Sequence, residues 1–293
     1  MDLTRLSDRT YYIPGPVNIG IITLEKSRVI LIDSGIDSNY AKRVYELLSD
    51  YRYKIAYIFN THSHADHVGG NNFLQKTTGC KIFASPLEAP IISYPLIQAA
   101  ILFSGAPTQD LTNRFIMALP SEPEIITDKE IKIDDLTIKV LDLPGHSINQ
   151  KGFMVDGTAF IGDALFSDQF FKKHFLPFNY DPLVQIQTLE SLKNIQAKRY
   201  VGGHLSHTTD ISALIASNST YISNTIAFMR RLLKVPQSQE RVIKSFLSHY
   251  GLKKNGWQYY LFRATVNGYL SALHKEGSIK YKVLDNLAVW YAA

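Results

Sequence analysis

Short apolar runs separated by turn residues fill the first two-thirds of the chain, a pattern that is typical of β-strands. Residues 20–35 predict a hairpin that turns at Glu25-Lys26-Ser27, and Asp156-Gly157 marks the turn of a second hairpin. Apolar residues at helical spacing over residues 40–48 predict a helix between two strands, which indicates a fold that mixes helices and sheets. The other predicted elements are strands at 54–59, 130–133, 137–143, 152–155, 158–161 and 199–201 and a helix at 183–195.

One segment, residues 86–123, interrupts this series of strands. It is rich in apolar and aromatic residues, and Pro95, Gly105 and Pro107 divide it into two or three short helices. We expect an insertion at the rim of a site. Its apolar surface can serve as a lid that forms an acyl or aryl pocket, or as a dimer surface or satellite core, and the sequence leaves both interpretations open.

The last part of the chain, residues 236–293, has a different pattern. Ser238 is positioned to cap a helix, and residues 257–274 predict a second helix. Alternating apolar residues then precede and follow a turn at Asp285-Asn286, as in a hairpin. Helices followed by a hairpin predict a small winged-helix-like domain after a body that spans residues 1–230.

The chain has 293 residues, of which 45% are apolar and 19% are charged. This apolar fraction is too high for a disordered chain, and the length allows one large core with a small appendage. No apolar run of about 18 residues is present to span a bilayer, so no membrane association is expected. The start of the chain lacks the profile of a secretory signal, and the lone Cys80 has no partner for an internal disulfide. We therefore expect a soluble protein of the cytoplasm.

The formal charge of +5 is unevenly distributed along the chain. From Arg230 to the end there are eleven Lys and Arg residues against three Asp and Glu residues, a balance of +8, which leaves −3 for residues 1–229. A basic end on a mildly acidic body suggests an anionic partner such as nucleic acid. A basic surface that interacts only with water explains the same asymmetry, and the sequence does not separate the two interpretations.

The candidate chemistry lies in residues 58–71, IFNTHSHADHVGGN. His62, His64, Asp66 and His67 follow a predicted strand within six positions. At the end of a strand, residues two apart point to the same side, so His62 and His64 can reach one cation. Asp66 and His67 then fall in the turn into a helix, where they can reach a second cation. Imidazole combined with carboxylate is a ligand set that zinc favours.

This HxHxDH motif resembles the first metal motif of the metallo-β-lactamase superfamily. Three further motifs similar to those of that family follow in the order it requires, and they contain His146, Asp163 and His204. The resemblance covers about residues 10–210. It implies an α+β fold, a four-layer αββα sandwich, to which the winged-helix-like domain is appended.

The resemblance also implies a site with two metal ions and a hydrolytic reaction. The implied ligands are His62, His64 and His146 for the first metal, Asp66, His67 and His204 for the second, and Asp163 for both. The implied cofactor is two Zn²⁺ ions, with Fe or Mn as alternatives, and a bridging hydroxide attacks the carbonyl of an ester, thioester or lactone. Asp66 is the candidate catalytic residue, which orients the nucleophile and passes its proton to the leaving group. The expected function is that of a dinuclear zinc hydrolase with a small-molecule substrate.

Two positions bear on which branch of the family the chain resembles. Ser147 begins a sequence that departs from the Thr-x-Gly usual in the second motif, which alters a loop of the site. His64 stands where the flavodiiron branch has Glu, which argues against a di-iron redox role. A persulfide-oxidising branch with a single iron is an alternative that the full ligand set disfavours.

His174 and His207 are predicted substrate contacts, because His174 lies in an aromatic loop after Asp163 and His207 lies three residues after His204. Specificity is expected to depend on the insertion and the end of the chain. The alternative function is a ribonuclease or phosphodiesterase that binds nucleic acid through the basic residues 236–293. A nucleic-acid binder without activity is a further alternative, and a homodimer is an open expectation.

Overall fold

The computed structural model describes residues 1–174, 177–252 and 256–293, in which strands and helices follow each other along the chain. The strands are β1 (Thr4–Arg5), β2 (Thr10–Ile13), β3 (Ile19–Thr23), β4 (Arg28–Ile32), β5 (Lys54–Phe59), β6 (Lys81–Ala84), β7 (Pro123–Ile125), β8 (Glu130–Ile133), β9 (Leu136–Asp142), β10 (Lys151–Val155), β11 (Thr158–Gly162), β12 (Arg199–Gly202), β13 (Gln237–Ser238), β14 (Ile279–Leu284) and β15 (Leu287–Ala292). The helices are α1 (Ser38–Asp50), α2 (Ala65–Val68), α3 (Asn71–Thr78), α4 (Ala89–Ser93), α5 (Leu96–Phe103), α6 (Asp168–His174), α7 (Pro182–Leu192), α8 (Ser212–Leu232), α9 (Gln239–His249) and α10 (Trp257–Lys275).

The first sheet contains β1 to β7 side by side in chain order. β1 to β4 pair antiparallel, and β4 to β7 pair parallel. The predicted hairpin at residues 20–35 is confirmed as β3 and β4, and the predicted helix that follows it is α1, which Asp37 caps. Because β4, β5 and β6 run parallel, their carboxyl ends meet at one edge of the sheet, and the loops that follow them lie close together.

The second sheet has the order β12-β11-β10-β9-β8, with β11 and β12 parallel and the other pairs antiparallel. The predicted turn at Asp156-Gly157 is confirmed. Asp156 has φ +49° and Gly157 has φ +70°. Positive φ at both central residues is the turn geometry that matches the twist of a two-residue hairpin, and Asp-Gly is suited to it.

Side chains alternate between the two faces of each sheet and thereby produce four layers. In β4, Val29 belongs to a cluster that includes residues of α1 and α3, whereas Ile30 belongs to the cluster between the sheets. In β11, Phe160 faces the first sheet, and Ile161 belongs to a cluster with residues of α7 and α8. The layers therefore follow the order helix, sheet, sheet, helix.

The insertion lies between β6 and β7 and contains α4, α5 and a turn of 3-10 helix at Gln109–Leu111. The predicted two or three short helices are thus confirmed. Leu102 and Ile116 of the insertion form a small cluster with Trp257 and Leu261 of α10. The insertion and the end of the chain therefore pack on each other.

The end of the chain adds α9, α10 and a three-stranded antiparallel sheet in the order β13-β15-β14. Phe246 of α9 and Tyr269 of α10 belong to the same hydrophobic cluster as Leu189 of α7 and Ile215 of α8. The change in composition near residue 236 is therefore not a break in the hydrophobic core.

The sequence pattern does not predict α8, although it has 21 residues. Two polar residues, Asn218 and Thr225, are buried on it and interrupt the apolar spacing. Asn218 bonds to the backbone N–H and carbonyl of Phe166, and Thr225 bonds to the hydroxyl of Tyr250. Within the described ranges, no helix is long and apolar enough to cross a bilayer.

We expect Phe246→Ala to lower the free energy of unfolding by about 3–5 kcal/mol, because Phe246 is fully buried in the cluster that α7, α8 and α10 share. Since this cluster joins the end of the chain to the body, urea unfolding followed by fluorescence and by circular dichroism should give one coincident transition. Val235→Ala is the control, since Val235 is 66% exposed, and it should change stability by less than about 0.5 kcal/mol. Two separate transitions in the unmodified protein would contradict a shared core.

Candidate metal centre

The first group of ligands forms where both sheets end. His62 and His64 follow β5 of the first sheet, and His146 comes from the loop after β9 of the second. His64 Nδ1 lies 3.0 Å from His62 Nε2 and 3.0 Å from His146 Nε2. The structure thus brings together the three histidines predicted for the first metal, and one cation can contact all three.

The second group adjoins the first. Asp66 and His67 lie on α2, and His204 lies in the loop after β12. His204 Nε2 is 3.3 Å from Asp66 Oδ2, and one ligand atom from each of Asp66, His67 and His204 lies within 4.8 Å of the others. These are the three residues predicted for the second metal.

Asp163 lies between the two groups, directly after β11. Its Oδ2 is 3.5 Å from His146 Nε2 of the first group and 3.5 Å from His204 Nε2 of the second. Its Oδ1 is 3.4 Å from His67 Nε2. One carboxylate therefore contacts both groups, which is the position that a ligand shared by two cations requires.

The residues fit metal ions, as two observations about buried atoms indicate. Within the described residues, the buried atoms His67 Nε2 and Asp163 Oδ1 make no hydrogen bond, although they face each other at 3.4 Å. Such atoms are costly unless a cation or a hydrogen bond satisfies them. Gly203 also leaves space at this point, because a Cβ there would lie 2.4 Å from Asp163 Oδ1 and 2.5 Å from His67 Cε1.

The outer nitrogens of the histidines are held by the protein. His146 Nδ1 lies 2.8 Å from the carbonyl oxygen of Phe178, and His204 Nδ1 lies 2.9 Å from that of Pro16. Because a carbonyl oxygen only accepts, each Nδ1 donates, and in the neutral ring Nε2 then carries a lone pair. These contacts fix the tautomer and orientation that metal binding needs.

The electrostatics differ between the two groups. Burial lowers the pKa of His62 far below its ordinary value and that of His146 to about 3, so both imidazoles are neutral. Burial acts on His67 in the same direction, but the carboxylates of Asp163, Asp33 and Asp66 together outweigh it and raise the pKa of His67 well above its ordinary value. Burial opposes ionisation of Asp163, yet His204 and His67 hold its pKa well below the usual range. The second group is therefore the one in which carboxylates outweigh the effect of burial on an imidazole.

Asp33 is a buried carboxylate that the sequence analysis did not assign to the site. It follows β4 with φ +64° and accepts hydrogen bonds from Thr61 N, Thr61 Oγ1 and His67 Nδ1, each at 2.8 Å. Asp33 thus joins the ends of β4 and β5 and turns Nε2 of His67 towards Asp163. Positive φ is uncommon for a residue other than glycine, and these contacts hold the strained conformation. An aspartate at the end of an apolar strand run is the sequence signal that could have indicated it.

Glu88, in the turn before α4, is a second buried carboxylate that was missed, and it is 1% exposed. Its Oε2 accepts hydrogen bonds from the amide and hydroxyl of Ser63, at 3.0 and 2.5 Å. Its Oε1 accepts from the hydroxyl of Ser147 at 2.6 Å and the amide of Asn149 at 3.0 Å. Glu88 therefore ties the loop of the first motif to that of the second. No local pattern distinguishes it from a surface glutamate.

Both groups open into a cavity of about 530 Å³. Asp66 reaches it with a side chain that is 44% exposed. Its other lining residues include His64, His146, Asp163 and His204 as the floor, Arg114, Phe115 and Ile116 from the insertion, and Trp257, Gln258, Leu261 and Phe262 from α10. The insertion therefore lies at the rim of the site, as the sequence predicts.

The two histidines predicted to contact substrate have different outcomes. His207 is exposed, lies 3.3 Å from the Tyr12 hydroxyl through its Nδ1, and is not among the residues that line the cavity. Thr208 pairs with Tyr200 of β12, so the chain turns back directly before this bridge. The side chain of His174 lies outside the described residues, so its contact stays a prediction.

A family profile described as the metallo-β-lactamase superfamily matches residues 12–204, a range that contains the seven candidate ligands. The chain belongs to this superfamily. The resemblance inferred from the four motifs is confirmed, and with it the α+β fold of the family.

Two relatives are named as hydrolases, and they support the assignment of this chain as a metal-dependent hydrolase. Hydroxyacylglutathione hydrolase GloC of Haemophilus influenzae is 27% identical over 196 residues, which are 66% of this chain and 87% of that protein. Hydroxyacylglutathione hydrolase of Methylococcus capsulatus is 26% identical over 136 residues, 46% of this chain and 43% of that protein. The chain thus aligns with less than half the length of the second relative.

Two solved structures share the fold over almost the whole chain. A metallo-β-lactamase family protein of Thermus thermophilus has a TM-score of 0.77 at 19% identity, covering 99% of this chain and 100% of that chain. A β-lactamase domain protein of Burkholderia ambifaria has a TM-score of 0.75 at 16% identity, covering 100% of this chain and 94% of that chain. Both likenesses concern the fold alone, and they include the end of the chain.

We expect Glu88→Gln to weaken metal binding by the first ligand group about 10–100-fold. The amide nitrogen of glutamine donates and cannot accept the two hydrogen bonds that each carboxylate oxygen of Glu88 receives. Competition with a chelator, with metal content per chain as readout, measures the change. Glu124→Gln is the matched control, since Glu124 pairs with Lys81 and its side chain is 53% exposed. Equal affinities in the two variants would contradict a role for Glu88 in fixing the loops.

We expect Gly203→Ala to reduce the metal content per chain, because the added Cβ displaces Asp163 or His67. Gly105→Ala is the control, since the nearest atom to its Cβ would be 3.8 Å away. Metal analysis after dialysis compares the two variants, and thermal unfolding shows whether each is folded. Full metal content in folded Gly203→Ala would contradict the close approach seen here.

Proposed function

We propose that this protein is a dinuclear zinc hydrolase, with iron or manganese as alternative metals, that cleaves an ester, thioester or lactone of a small substrate. The observation that carries the proposal is the position of Asp163, whose Oδ2 lies 3.5 Å from an imidazole nitrogen of each ligand group. Two adjoining groups that share a carboxylate favour two cations, and a set rich in imidazole favours zinc.

The residues that would hold the ions are His62, His64 and His146 for one, Asp66, His67 and His204 for the other, and Asp163 for both. Two divalent ions, when bound, lower the pKa of a water molecule and polarise the oxygen of the scissile carbonyl. The protein contributes orientation. Asp33 and backbone carbonyls hold the outer nitrogens of the ligands, so their geometry is set before substrate arrives.

Asp66 is the proposed acid–base residue of the reaction. Its carboxylate faces the cavity, so a water molecule and a substrate can both reach it. Burial opposes its ionisation, but His67 and His204 hold the pKa of Asp66 below the usual range. The ionised carboxylate can therefore orient the attacking water by accepting its O–H, and then pass the proton to the leaving oxygen or sulfur.

We also propose that the end of the chain is a winged-helix-like domain that serves as a wall of the substrate site. The order α8, β13, α9, α10 and the hairpin of β14 and β15 supports the first part. The second part is supported by Trp257, Leu261 and Phe262 of α10, which line the cavity. Lys275 of this region pairs with Asp181 of the body, and Arg230 of α8 pairs with Glu276 of this region. These ion pairs reduce the charge available to nucleic acid.

We expect Asp66→Asn to lower kcat for a thioester or ester about 10²–10⁴-fold, while the first ligand group retains its metal. Asp142→Asn is the matched control, because the Asp142 side chain is 69% exposed and has Lys151 as its ion-pair partner. The assay compares thioesters, lactones and short RNA, with zinc added back after removal by a chelator. Metal analysis of the same samples gives the number of ions per chain.

Fewer than one zinc, iron or manganese ion per chain after metal-supplemented expression would overturn the dinuclear centre. Cleavage of RNA without turnover of any ester, thioester or lactone would overturn the proposed substrate class. It would favour the ribonuclease alternative if exchange of Lys280 and Lys282, which are exposed on β14, also removed the RNA cleavage.

A further inference from the structure

The cavity above the metal centre has a polar floor and an apolar wall. The floor consists of the candidate metal ligands, and the wall consists of side chains from three separate parts of the chain. The wall residues are Phe115 of the insertion, Phe166 and Phe178 near the ligands, and Trp257, Leu261 and Phe262 of α10. These six side chains bind the apolar part of a ligand, whereas Asp37, Gln98, Arg114, Lys173 and Gln258 are the polar residues that line the cavity outside the floor.

Phe115 and Trp257 complete the wall where the insertion meets α10. Their rings stack with centroids 5.4 Å apart and planes at 14°. Leu261 belongs to the same small cluster as Ile116, which holds the two segments together. Phe115 is 59% exposed, so the pair presents a large apolar face to whatever enters the cavity. A rigid aromatic face of this kind contacts a flat ring or an extended chain at little entropic cost.

The positive charge near the wall is limited, and part of it is neutralised by an ion pair. Arg114 and Lys173 are the cationic residues among the described residues that line the cavity. Arg114 pairs with Asp37 at 3.3 Å, and Asp37 itself lines the cavity and would repel an anion. Glutathione carries two carboxylates, and its peptide groups need polar partners when they leave water. Phe115, Leu261 and Phe262 offer no such partner, so this side of the cavity favours an apolar group over a peptide.

The size of the cavity also favours a substantial apolar group. Its volume of about 530 Å³ lies in the range of sites that enclose drug-sized ligands, roughly 300–1,000 Å³. An acetyl or hydroxypropanoyl group would leave most of this volume to water. A chain of several methylene groups or an aromatic ring fills it. Its binding removes from water the apolar surface of the ligand and that of the cavity wall.

We propose that the substrate is an ester or thioester of an apolar carboxylic acid. Its chain or ring lies against Phe115, Trp257 and Phe262 while its carbonyl reaches the ligand groups. Water adds across the C–O or C–S bond, which gives the carboxylic acid and an alcohol or thiol. The inference rests on the proposed hydrolytic function and extends it to a substrate class.

The first experiment measures kcat/KM of the zinc-loaded enzyme for thioesters and esters from acetyl to octanoyl and for 4-phenylbutanoyl. We expect kcat/KM to rise about fourfold per methylene until the cavity is filled. Trp257→Ala should lower the octanoyl-to-acetyl ratio of kcat/KM about tenfold or more, because the variant loses a large part of the apolar contact area. Tyr94→Ala is the control, since Tyr94 belongs to the insertion but is 69% exposed and is not among the residues that line the cavity.

The second experiment measures binding without turnover. The chain has two tryptophans, so Trp290→Phe leaves Trp257 as the sole tryptophan and a reporter of the wall. Its fluorescence is titrated with octanoate, 4-phenylbutanoate, acetate and S-methylglutathione. If Trp290→Phe does not fold, the difference between the unmodified protein and Trp257→Phe supplies the same signal.

Saturable fluorescence changes with octanoate and 4-phenylbutanoate, and none with acetate or S-methylglutathione at equal concentration, would support the proposal. A flat chain-length series, or a change with S-methylglutathione alone, would overturn it in favour of a polar acyl group on a glutathione arm. Failure of the proposed hydrolytic function gives a different result from failure of the proposed substrate class, because the protein would then turn over no ester or thioester at all. The fluorescence titration then still tests the apolar wall by itself.

Discussion

The buried carboxylate of Asp163 is the group around which the two halves of the molecule are arranged. It is 4% exposed, stands at the end of β11, and contacts imidazoles that come from both sheets. A buried charge is costly unless it is paired, so the loops of both sheets must converge on it. Phe59, Phe153 and Phe160 join the same two sheets along their inner faces. Apolar packing thus brings the strand ends together, and the polar contacts at those ends determine their spacing.

The candidate ligands are held in position by residues that contact the ligands or their loops from the side away from the cavity. Asp33 fixes one imidazole and joins two parallel strands, whereas Glu88 joins two loops that belong to different sheets. Gly203 permits the close approach of its backbone to Asp163. Ser147, where the chain departs from the usual form of its motif, supplies one of the hydrogen bonds that Glu88 accepts. The departure is therefore accommodated by a partner in the insertion, and the loop remains tied to the site.

The ligands could be predicted because each lies in a short motif at the end of a strand, where local spacing determines direction. Glu88 could not, because its role depends on distant partners, and Asp33 had only its place at the end of an apolar strand run to indicate it. Glu88 meets residues 59 and 61 positions further along the chain. The helix α8 was missed for a related reason, since Asn218 is buried on it and its bonds to Phe166 and Leu214 make that burial favourable. His207 was predicted near the site from its closeness to His204 in sequence, and it lies beside Tyr12 and is not among the residues that line the cavity.

The sequence by itself determined the strands, the hairpins and the order of the metal motifs, because alternation, turn residues and ligand spacing act over a few residues. It also located the uneven charge, but it did not determine whether the basic end binds an anionic partner. Tertiary structure decided that the basic end of the chain shares the core of the body and supplies Trp257 to the cavity. It decided as well that the insertion packs against α10. The sequence shows that a face is apolar and must therefore be buried. It does not show which segment covers that face, because this depends on how the whole chain folds.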